Sequence, residues 1–158
     1  MKKLLVSLTL LAQISSYCLA QKNVIPVKSL EIVNKYLHII FVENNHGQGL
    51  SDLLKNDFVF DDPFGKSRGA ADFIAYAQRW ISLKKSITME KQFVDGKAVC
   101  SLYLIEVPTA TGDKAIFHLA DYVELEDGKM TREQVFFDDQ IKFAKAMGYL
   151  DEYLKKYN

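Results

Sequence analysis

The stretch Asp57-Phe58-Val59-Phe60-Asp61-Asp62-Pro63-Phe64-Gly65 decides how the rest of the chain is interpreted. Side chains alternate between the two faces of an extended strand, so Phe58, Phe60 and Asp62 share one face. Pro63 has no N–H group to donate and therefore ends ladder pairing. This pattern predicts a strand that ends by holding a carboxylate at the edge of an aromatic surface. Asp-Asp-Pro is also a common way to leave a strand, so a purely structural turn is the alternative.

A second acid is predicted in a similar setting on a strand from Lys114 to Glu124. One face of this strand carries Phe117, Leu119, Asp121 and Val123, and the other carries Ile116, His118, Ala120 and Tyr122. The alternation of side chains alone does not decide which of these two faces is buried. A buried carboxyl without a partner tends to have a raised pKa and to hold a proton. A structural carboxylate that is bonded to backbone or to a tyrosine also fits this position.

The first helix is predicted from about Val27 to Asn45, with Gly47 as a left-handed cap. Its apolar positions follow the three-and-four spacing of one buried face: Leu30, Val33, Leu37, Ile40 and Phe41. Tyr36 lies at the edge of this face. A tyrosine there can bury its ring and direct its hydroxyl into a cavity. Packing alone also explains this residue.

The remaining pattern predicts two more helices before a run of strands. A short helix is expected at about 50–54 and a longer one at about 70–83, where Trp80 belongs to the apolar stripe. Four strands are then expected at about 87–94, 98–107, 114–124 and 130–137, joined by short turns that include Asp95-Gly96 and Asp127-Gly128. A helix at about 140–148 and a charged tail follow. The order predicts an α+β domain in which helices cover one face of a strongly bent antiparallel sheet. Such an arrangement leaves a cone-shaped pocket, which is the default ligand site.

The first 20 residues have the layout of a secretory signal peptide. Lys2-Lys3 precede the apolar run from Leu4 to Ala12, and a small-residue exit follows, with cleavage expected before Gln21. A lipid-modified Cys18 is a weaker alternative. The expected organisation is a signal peptide at 1–20, a short leader at 21–26, one domain at 27–148 and a charged tail or helix extension at 149–158. The mature chain is therefore expected to be exported, either to the periplasm or as a secreted protein.

Charge and cysteine content restrict the partners. Removal of Lys2 and Lys3 leaves 18 basic residues of the original 20, against 20 acidic residues. No basic stripe is visible, which argues against nucleic acid or an anionic membrane as partner and favours a small neutral or apolar ligand. Cys100 is the only cysteine left after the signal, so no intramolecular disulfide is expected. No metal site and no cofactor are expected, because His38, Glu43 and His46 lack ligand spacing and no phosphate-binding loop is present.

The chain from Tyr36 to Asp138 resembles the nuclear-transport-factor-2-like superfamily, and within it the ketosteroid isomerase and SnoaL-like polyketide cyclase branch. Phe60-Asp61-Asp62-Pro63-Phe64-Gly65 is similar to the isomerase segment in which an Asp before Pro is the general base. Leu119-Ala120-Asp121-Tyr122 is similar to the segment whose protonated Asp donates a hydrogen bond to the substrate oxyanion. Tyr36 resembles the tyrosine that completes this oxyanion hole. The turn Asp127-Gly128-Lys129 and the following strand support the superfamily without selecting a function.

This resemblance implies a cystatin-like roll, in which a curved antiparallel sheet wraps around N-terminal helices. It also implies cofactor-independent isomerase, cyclase or dehydratase chemistry by Tyr36, Asp62 and Asp121, and a homodimer formed through the sheet. The expected pocket residues are Phe58, Phe60, Trp80, Phe117, Leu119, Glu133 and Phe137. Glu133 departs from a purely apolar steroid site because it adds an acid. Two other classes of function stay open: a carrier or sensor of a small apolar or aromatic molecule, and a homodimeric protein-interaction domain.

Overall fold

The computed structural model describes residues 27–43, 45–83, 85–109 and 111–157. The expected signal peptide at 1–20 and leader at 21–26 lie outside the described residues. The helices are α1 (27–41), α2 (Leu50–Leu53), α3 (Ala70–Ile81), α4 (Gln140–Ala146) and α5 (Leu150–Tyr157). The strands are β1 (Leu54–Asp61), β2 (Lys66–Arg68), β3 (Ser86–Asp95), β4 (Ala98–Pro108), β5 (Lys114–Glu126) and β6 (Lys129–Phe137). The predicted α+β class is confirmed.

The six strands form one open, curved sheet in the order β2-β1-β6-β5-β4-β3. The pairing is antiparallel as expected, except that β1 lies parallel to β6. Parallel pairing needs a long connection, and α3 together with the meander β3 to β5 supplies it. The polar residues Lys66-Ser67-Arg68, between Gly65 and Gly69, form the short strand β2, because Ser67 pairs with Phe60 at the end of β1.

Strand pairing decides which face of β5 is buried. Asp121 lies opposite Ser101 of β4 and Val135 of β6, and all three side chains are buried. The alternate residues of β5 point outward, so Ile116 is 50% exposed. The face that carries Asp121 is therefore the inner, concave face.

The core lies between this concave face and the helices α1 and α3. Phe73 of α3 packs against Phe58 and Phe60 of β1, with ring centres 5.1 and 4.9 Å apart. Register shifts interrupt the β1–β6, β3–β4 and β5–β6 pairs. Such irregularities bend strands, and the bent sheet leaves space between itself and the helices.

The first helix ends earlier than the sequence predicts. The N–H groups of Val42 and Glu43 both bond to the carbonyl of His38, which closes α1 at residue 41 rather than near Asn45. Gly47 has a φ of +79°, and a Cβ there would lie 2.9 Å from Ile81 Cδ1. The glycine therefore serves the turn between α1 and α2, where it allows close packing against α3.

The C-terminal helices close one end of the sheet. Asp139 caps α4 by accepting a hydrogen bond from the N–H of Lys142 at 2.8 Å. Phe143 of α4 is fully buried, and Gly148, with a φ of +75°, separates α4 from α5. The charged tail is thus a separate helix, α5, rather than an extension of α4. Within the described ranges, no helix is both long and apolar enough to cross a membrane.

Candidate functional site

A cavity lies between α1, α3 and the concave face of the sheet. Its cavity volume is about 50 Å³, and the empty space reaches about 460 Å³ when the part that is open to solvent is included. Seven of the residues expected at the site line it: Tyr36, Phe60, Asp62, Trp80, Leu119, Glu133 and Phe137. Most of the remaining lining is aliphatic or aromatic, so the cavity suits a small, largely apolar molecule.

Three residues expected at the site lie elsewhere. Phe58 and Phe117 are fully buried in the core, where Phe58 packs on Phe73 and Phe117 packs on Phe143. Asp121 is also fully buried and lies outside the cavity lining among the described residues. The alternation of side chains along β1 and β5 correctly predicted that these residues lie on the inner face of the sheet. Phe58 and Phe117 are covered there by Phe73 of α3 and Phe143 of α4.

Tyr36 and Glu133 meet across the interior. Tyr36 projects from α1 and Glu133 from β6, and each is 2% exposed. The Tyr36 hydroxyl donates a hydrogen bond to Glu133 Oε2. Burial raises the pKa of Tyr36 well above its ordinary value, and the neighbouring Glu133 charge raises it further. The phenol is therefore neutral, and it remains a hydrogen-bond donor.

Asp121 lies next to Glu133 on the inner face. Asp121 pairs with Val135 and Glu133 pairs with Val123 on neighbouring antiparallel strands, so the two acids are diagonal neighbours. Neither carboxyl oxygen of Asp121 has a hydrogen bond of good geometry to the part of the chain that the structure describes. Burial raises the pKa of Asp121 to about 7, and the nearby Glu133 carboxyl partly opposes this rise. Burial, followed by the charge of Asp121, also holds the pKa of Glu133 well above its ordinary value. The pair therefore retains a proton near neutral pH.

Asp62 lines the same cavity and lies just after β1. Its Oδ1 accepts hydrogen bonds from the N–H groups of Phe64 at 2.8 Å and Gly65 at 2.5 Å. Its Oδ2 accepts a bond from the Tyr76 hydroxyl at 2.8 Å. Burial raises the pKa of Asp62, and these hydrogen bonds oppose the rise. Asp62 lines the cavity and also holds the turn by accepting backbone hydrogen bonds. The carboxylate at an aromatic edge and the structural turn are therefore both present.

Tyr76 is a site residue that the sequence analysis missed. It lies on α3, four residues before Trp80, so both side chains are on one face of the helix. Its ring packs so closely on Gly65 that a Cβ there would lie 2.6 Å from Tyr76 Cε2. The Arg79 guanidinium covers the same ring at 4.2 Å. The sequence signal that could have identified Tyr76 is its four-residue spacing from Trp80.

Tyr103 of β4 was missed as well. It is 1% exposed and lines the cavity. Burial raises its pKa well above the ordinary value, and the charge of Asp121 adds to that effect. The sequence signal that could have identified Tyr103 is its two-residue spacing from Ile105, since both side chains belong to the buried face of β4. Tyr103 adds a second neutral phenol to the polar part of the cavity wall.

Removal of the Tyr76 hydroxyl should raise the pKa of Asp62. The hydroxyl donates to the ionised carboxylate, so Tyr76→Phe removes an interaction that favours the charged form. Carboxyl-carbon NMR titration of Asp62 is the measurement, and Tyr122→Phe, which alters an outward-facing tyrosine, is the control. Gly65→Ala should act in the same direction because it displaces the Tyr76 ring. An unchanged Asp62 titration in Tyr76→Phe would mean that this hydrogen bond does not form in solution.

The described residues hold no group of three or more His, Cys, Asp or Glu side chains that is placed to bind a metal ion. The polar groups that line the cavity are carboxyls and phenols. These groups can donate, accept and transfer protons. The chemistry that this arrangement offers on its own is therefore acid–base chemistry and hydrogen bonding.

Comparison with known families identifies the class of domain. A SnoaL-like domain model matches residues 33–133. This match covers more than half of the chain, so the chain belongs to the SnoaL-like domain family. It includes Tyr36, Asp62, Asp121 and Glu133, whereas α4 and α5 lie beyond it. No curated protein matches the chain in sequence at a significant level.

Solved structures show the same fold. An NTF2-like protein of unknown function from Cytophaga hutchinsonii is 23% identical, with a TM-score of 0.58 over 73% of this chain and 94% of that chain. A candidate SnoaL-like polyketide cyclase from Jannaschia sp. CCS1 is 16% identical, with a TM-score of 0.64 over 79% and 95%. A candidate ketosteroid isomerase from Kribbella flavida is 18% identical, with a TM-score of 0.59 over 72% and 80%. The resemblance inferred from the sequence is confirmed at the level of the fold and the family.

Proposed function

We propose that this SnoaL-like domain binds a small, largely apolar molecule in its cavity and transfers a proton on it without a cofactor. The observation that carries the proposal is the position of Tyr36, Asp62 and Glu133 around one apolar cavity, with the acids in different surroundings. Two carboxyls with different pKa values can divide the roles of base and acid. Isomerisation, cyclisation and dehydration are the reaction types that this arrangement suits.

The donor side of the proposed site is the group Tyr36, Glu133 and Asp121. The resemblance assigns the second donor to Asp121, but Glu133 is the acid that lines the cavity. In the proposed complex, Tyr36 donates to a ligand oxygen instead of to Glu133, and the protonated Glu133 donates to the same oxygen. Asp121 acts behind Glu133, because its buried charge favours the protonated form of Glu133. Donors fixed in a desolvated site stabilise an oxygen as it gains charge.

Asp62 is the proposed base. Tyr76 and the two backbone N–H groups hold its carboxylate at the cavity edge. Oδ2 accepts one hydrogen bond from Tyr76, and a carboxylate oxygen can accept a further proton or hydrogen bond. Asp62 can therefore take a proton from a carbon next to a carbonyl while the Tyr36 side holds the carbonyl oxygen.

The test is deuterium exchange at the carbon next to the carbonyl of cyclic ketones, followed by proton NMR in D₂O. The wild-type protein should accelerate exchange for at least one ketone of a panel. Asp62→Asn should lose about 100-fold or more of that rate, as expected for removal of a general base. Asp61→Asn is the matched control, because Asp61 is the preceding carboxylate and pairs with Lys66 and Arg68 on the surface. Equal losses in the two variants would contradict the assignment of Asp62.

A carrier or sensor without catalysis is the second candidate function. The hydrogen bonds that Asp62 accepts from Phe64, Gly65 and Tyr76 favour it, because they also fit a structural turn. Trp80 is the only tryptophan of the chain and lines the cavity, so its fluorescence reports binding. Quenching by 4-nitrophenol without ketone exchange would favour the carrier. If neither is seen, the protein-interaction alternative is favoured.

The proposal includes a homodimer formed through the outer face of the sheet. Phe93, Ile116 and Phe136 point outward from β3, β5 and β6 and are 49%, 50% and 49% exposed. Apolar side chains grouped on one face are typical of an interaction surface. Phe136→Lys should reduce the mass measured by size exclusion with light scattering from dimer to monomer. Ile141→Lys, an equally exposed change on α4, should leave the mass unchanged. A wild-type monomer at 100 μM would exclude this part of the proposal.

Export is also part of the proposal. It is supported by the two lysines and the apolar run at the N-terminus, followed by the small-residue exit before Gln21. Expression of the full chain with fractionation and N-terminal sequencing tests it. A mature chain that begins at Gln21 in the periplasm or the medium is the expected result, and full-length protein in the cytoplasm would contradict it.

A further inference from the structure

A second pocket lies on the surface between α3, α5 and the turn after β1. Its walls are Phe64, Tyr149 and Tyr153 on the aromatic side and Arg79, Glu152 and Lys156 on the charged side. Its cavity volume is about 150 Å³. An apolar cavity of about 150 Å³ can bind benzene. The pocket therefore has room for a ligand with one aromatic ring.

Arg79 packs against aromatic rings in the wall of this pocket. Its half-buried guanidinium lies 4.2 Å from the ring centre of Tyr76 and 6.0 Å from that of Tyr149. Within the described ranges, no oxygen accepts a hydrogen bond from it. Arg68, in contrast, donates to the carbonyls of Phe60 at 3.1 Å and Ser67 at 2.8 Å. The aromatic rings hold the Arg79 guanidinium, while its N–H groups lack an acceptor.

A second cation also lines the pocket. Lys156 of α5 donates to the carbonyl of Pro63 at 2.9 Å, which holds its ammonium beside the turn after β1. Glu152 precedes Lys156 by one helical turn, where side chains four residues apart attract each other. Burial raises the pKa of Asp62, and the nearby charge of Arg79 is among the influences that oppose this rise. Asp62 takes its hydrogen bonds from Phe64, Gly65 and Tyr76 instead, so the N–H groups of Arg79 stay available to a ligand. An anion is the ligand that this charge would attract.

We propose that this pocket is an anion subsite that takes an aromatic carboxylate, with Arg79 as its principal ligand. A planar guanidinium binds a carboxylate through two parallel hydrogen bonds. Lys156 supplies the second charge, and the ring of the ligand packs between Phe64, Tyr149 and Tyr153. The subsite adjoins the cavity, because Asp62 and Trp80 line the cavity while their chain neighbours Pro63 and Arg79 line this pocket. It does not depend on the function proposed for the cavity.

The experiment is a titration of the full mature chain with benzoate, followed by calorimetry and by the Arg79 Nε–H signal in NMR. Benzyl alcohol tests the need for the charge, and inorganic phosphate tests the need for the ring. Benzoate should bind with a dissociation constant on the order of 1 mM and shift the Arg79 signal. Benzyl alcohol and phosphate should both bind more weakly. Phosphate binding as tight as that of benzoate would overturn the assignment to an aromatic carboxylate.

Variants identify the residue that binds. Arg79→Gln should weaken benzoate binding about tenfold or more, as expected for the loss of hydrogen bonds to a charged group. Arg79→Lys keeps the charge without the paired N–H groups and should weaken it to a lesser extent. Arg68→Gln is the matched control and should change binding less than twofold. Glu152→Gln should tighten binding, because it removes a like charge from the pocket. Benzoate binding that is insensitive to Arg79→Gln, or equally sensitive to Arg68→Gln, would overturn the proposal.

Discussion

Phe143→Ala is expected to lower the free energy of unfolding by about 3–5 kcal/mol, the usual cost of removing a fully buried phenylalanine ring. Phe143 is fully buried on α4. Its ring centre lies 4.6 Å from that of Phe137, 4.9 Å from Phe117, 5.2 Å from Phe64 and 5.3 Å from Trp80. Urea denaturation of the mature chain measures the effect.

Ile141→Ala is the matched control for this change, because Ile141 lies on the same helix and is 58% exposed. Its effect should stay within about 0.5 kcal/mol. The Trp80 fluorescence of Phe143→Ala should shift to longer wavelength, since the ring that stacks on Trp80 is removed. A loss below about 1 kcal/mol, far under the range for a buried phenylalanine, would mean that α4 does not pack on the sheet in solution.

The buried acids are expected to make the protein less stable as the pH rises from about 4 to about 7. The pKa of Asp121 is raised to about 7 in the folded state, whereas the unfolded chain releases this proton near pH 4. Between these values the folded state holds more protons than the unfolded state, so the free energy of unfolding falls with increasing pH. The slope is about 1.4 kcal/mol per pH unit for one carboxyl. Glu133 contributes in the same direction.

Asp121→Asn isolates this contribution. The stability of the variant relative to wild type should increase between pH 4.5 and pH 8 by about 3 kcal/mol, the value for a single carboxyl over this range. Asp57→Asn changes an exposed acid and should show no such trend. Urea denaturation at five pH values provides the comparison. If the difference between Asp121→Asn and wild type stays constant with pH, Asp121 does not hold an extra proton in the folded protein, and this prediction is wrong.

Much of the fold follows from local patterns. Alternating side chains and Asp-Gly turns predicted the strands β3 to β6 to within about two residues, because these signals depend only on neighbours in the chain. The end of α1 was predicted wrongly, and the strand β2 was not predicted. The end of α1 depends on the way the His38 carbonyl shares the N–H groups of Val42 and Glu43, which hydrophobic spacing does not reveal. The strand β2 exists only as a partner of β1. The parallel β1–β6 pair likewise joins strands that are far apart in the chain.

Several residues that the sequence analysis named line the cavity, but their contacts were not predicted. Tyr36, Asp62 and Glu133 line the cavity as expected, whereas Asp121 lies beside Glu133 and outside the lining. Tyr76 was missed because its bond to Asp62 crosses from α3 to the turn after β1. No periodic pattern records such a contact.

The sequence by itself determined the class of fold, the resemblance to the SnoaL-like family and the faces on which the acids lie. These properties depend on side-chain period and turn chemistry, which are local. Only the tertiary structure decided that the Asp121 face of β5 is inside and that Glu133 accepts the Tyr36 hydroxyl, a contact between residues 97 positions apart. The physical reason is that burial and hydrogen bonding, which set the pKa values of these groups, arise from elements that are brought together only by strand pairing and helix packing.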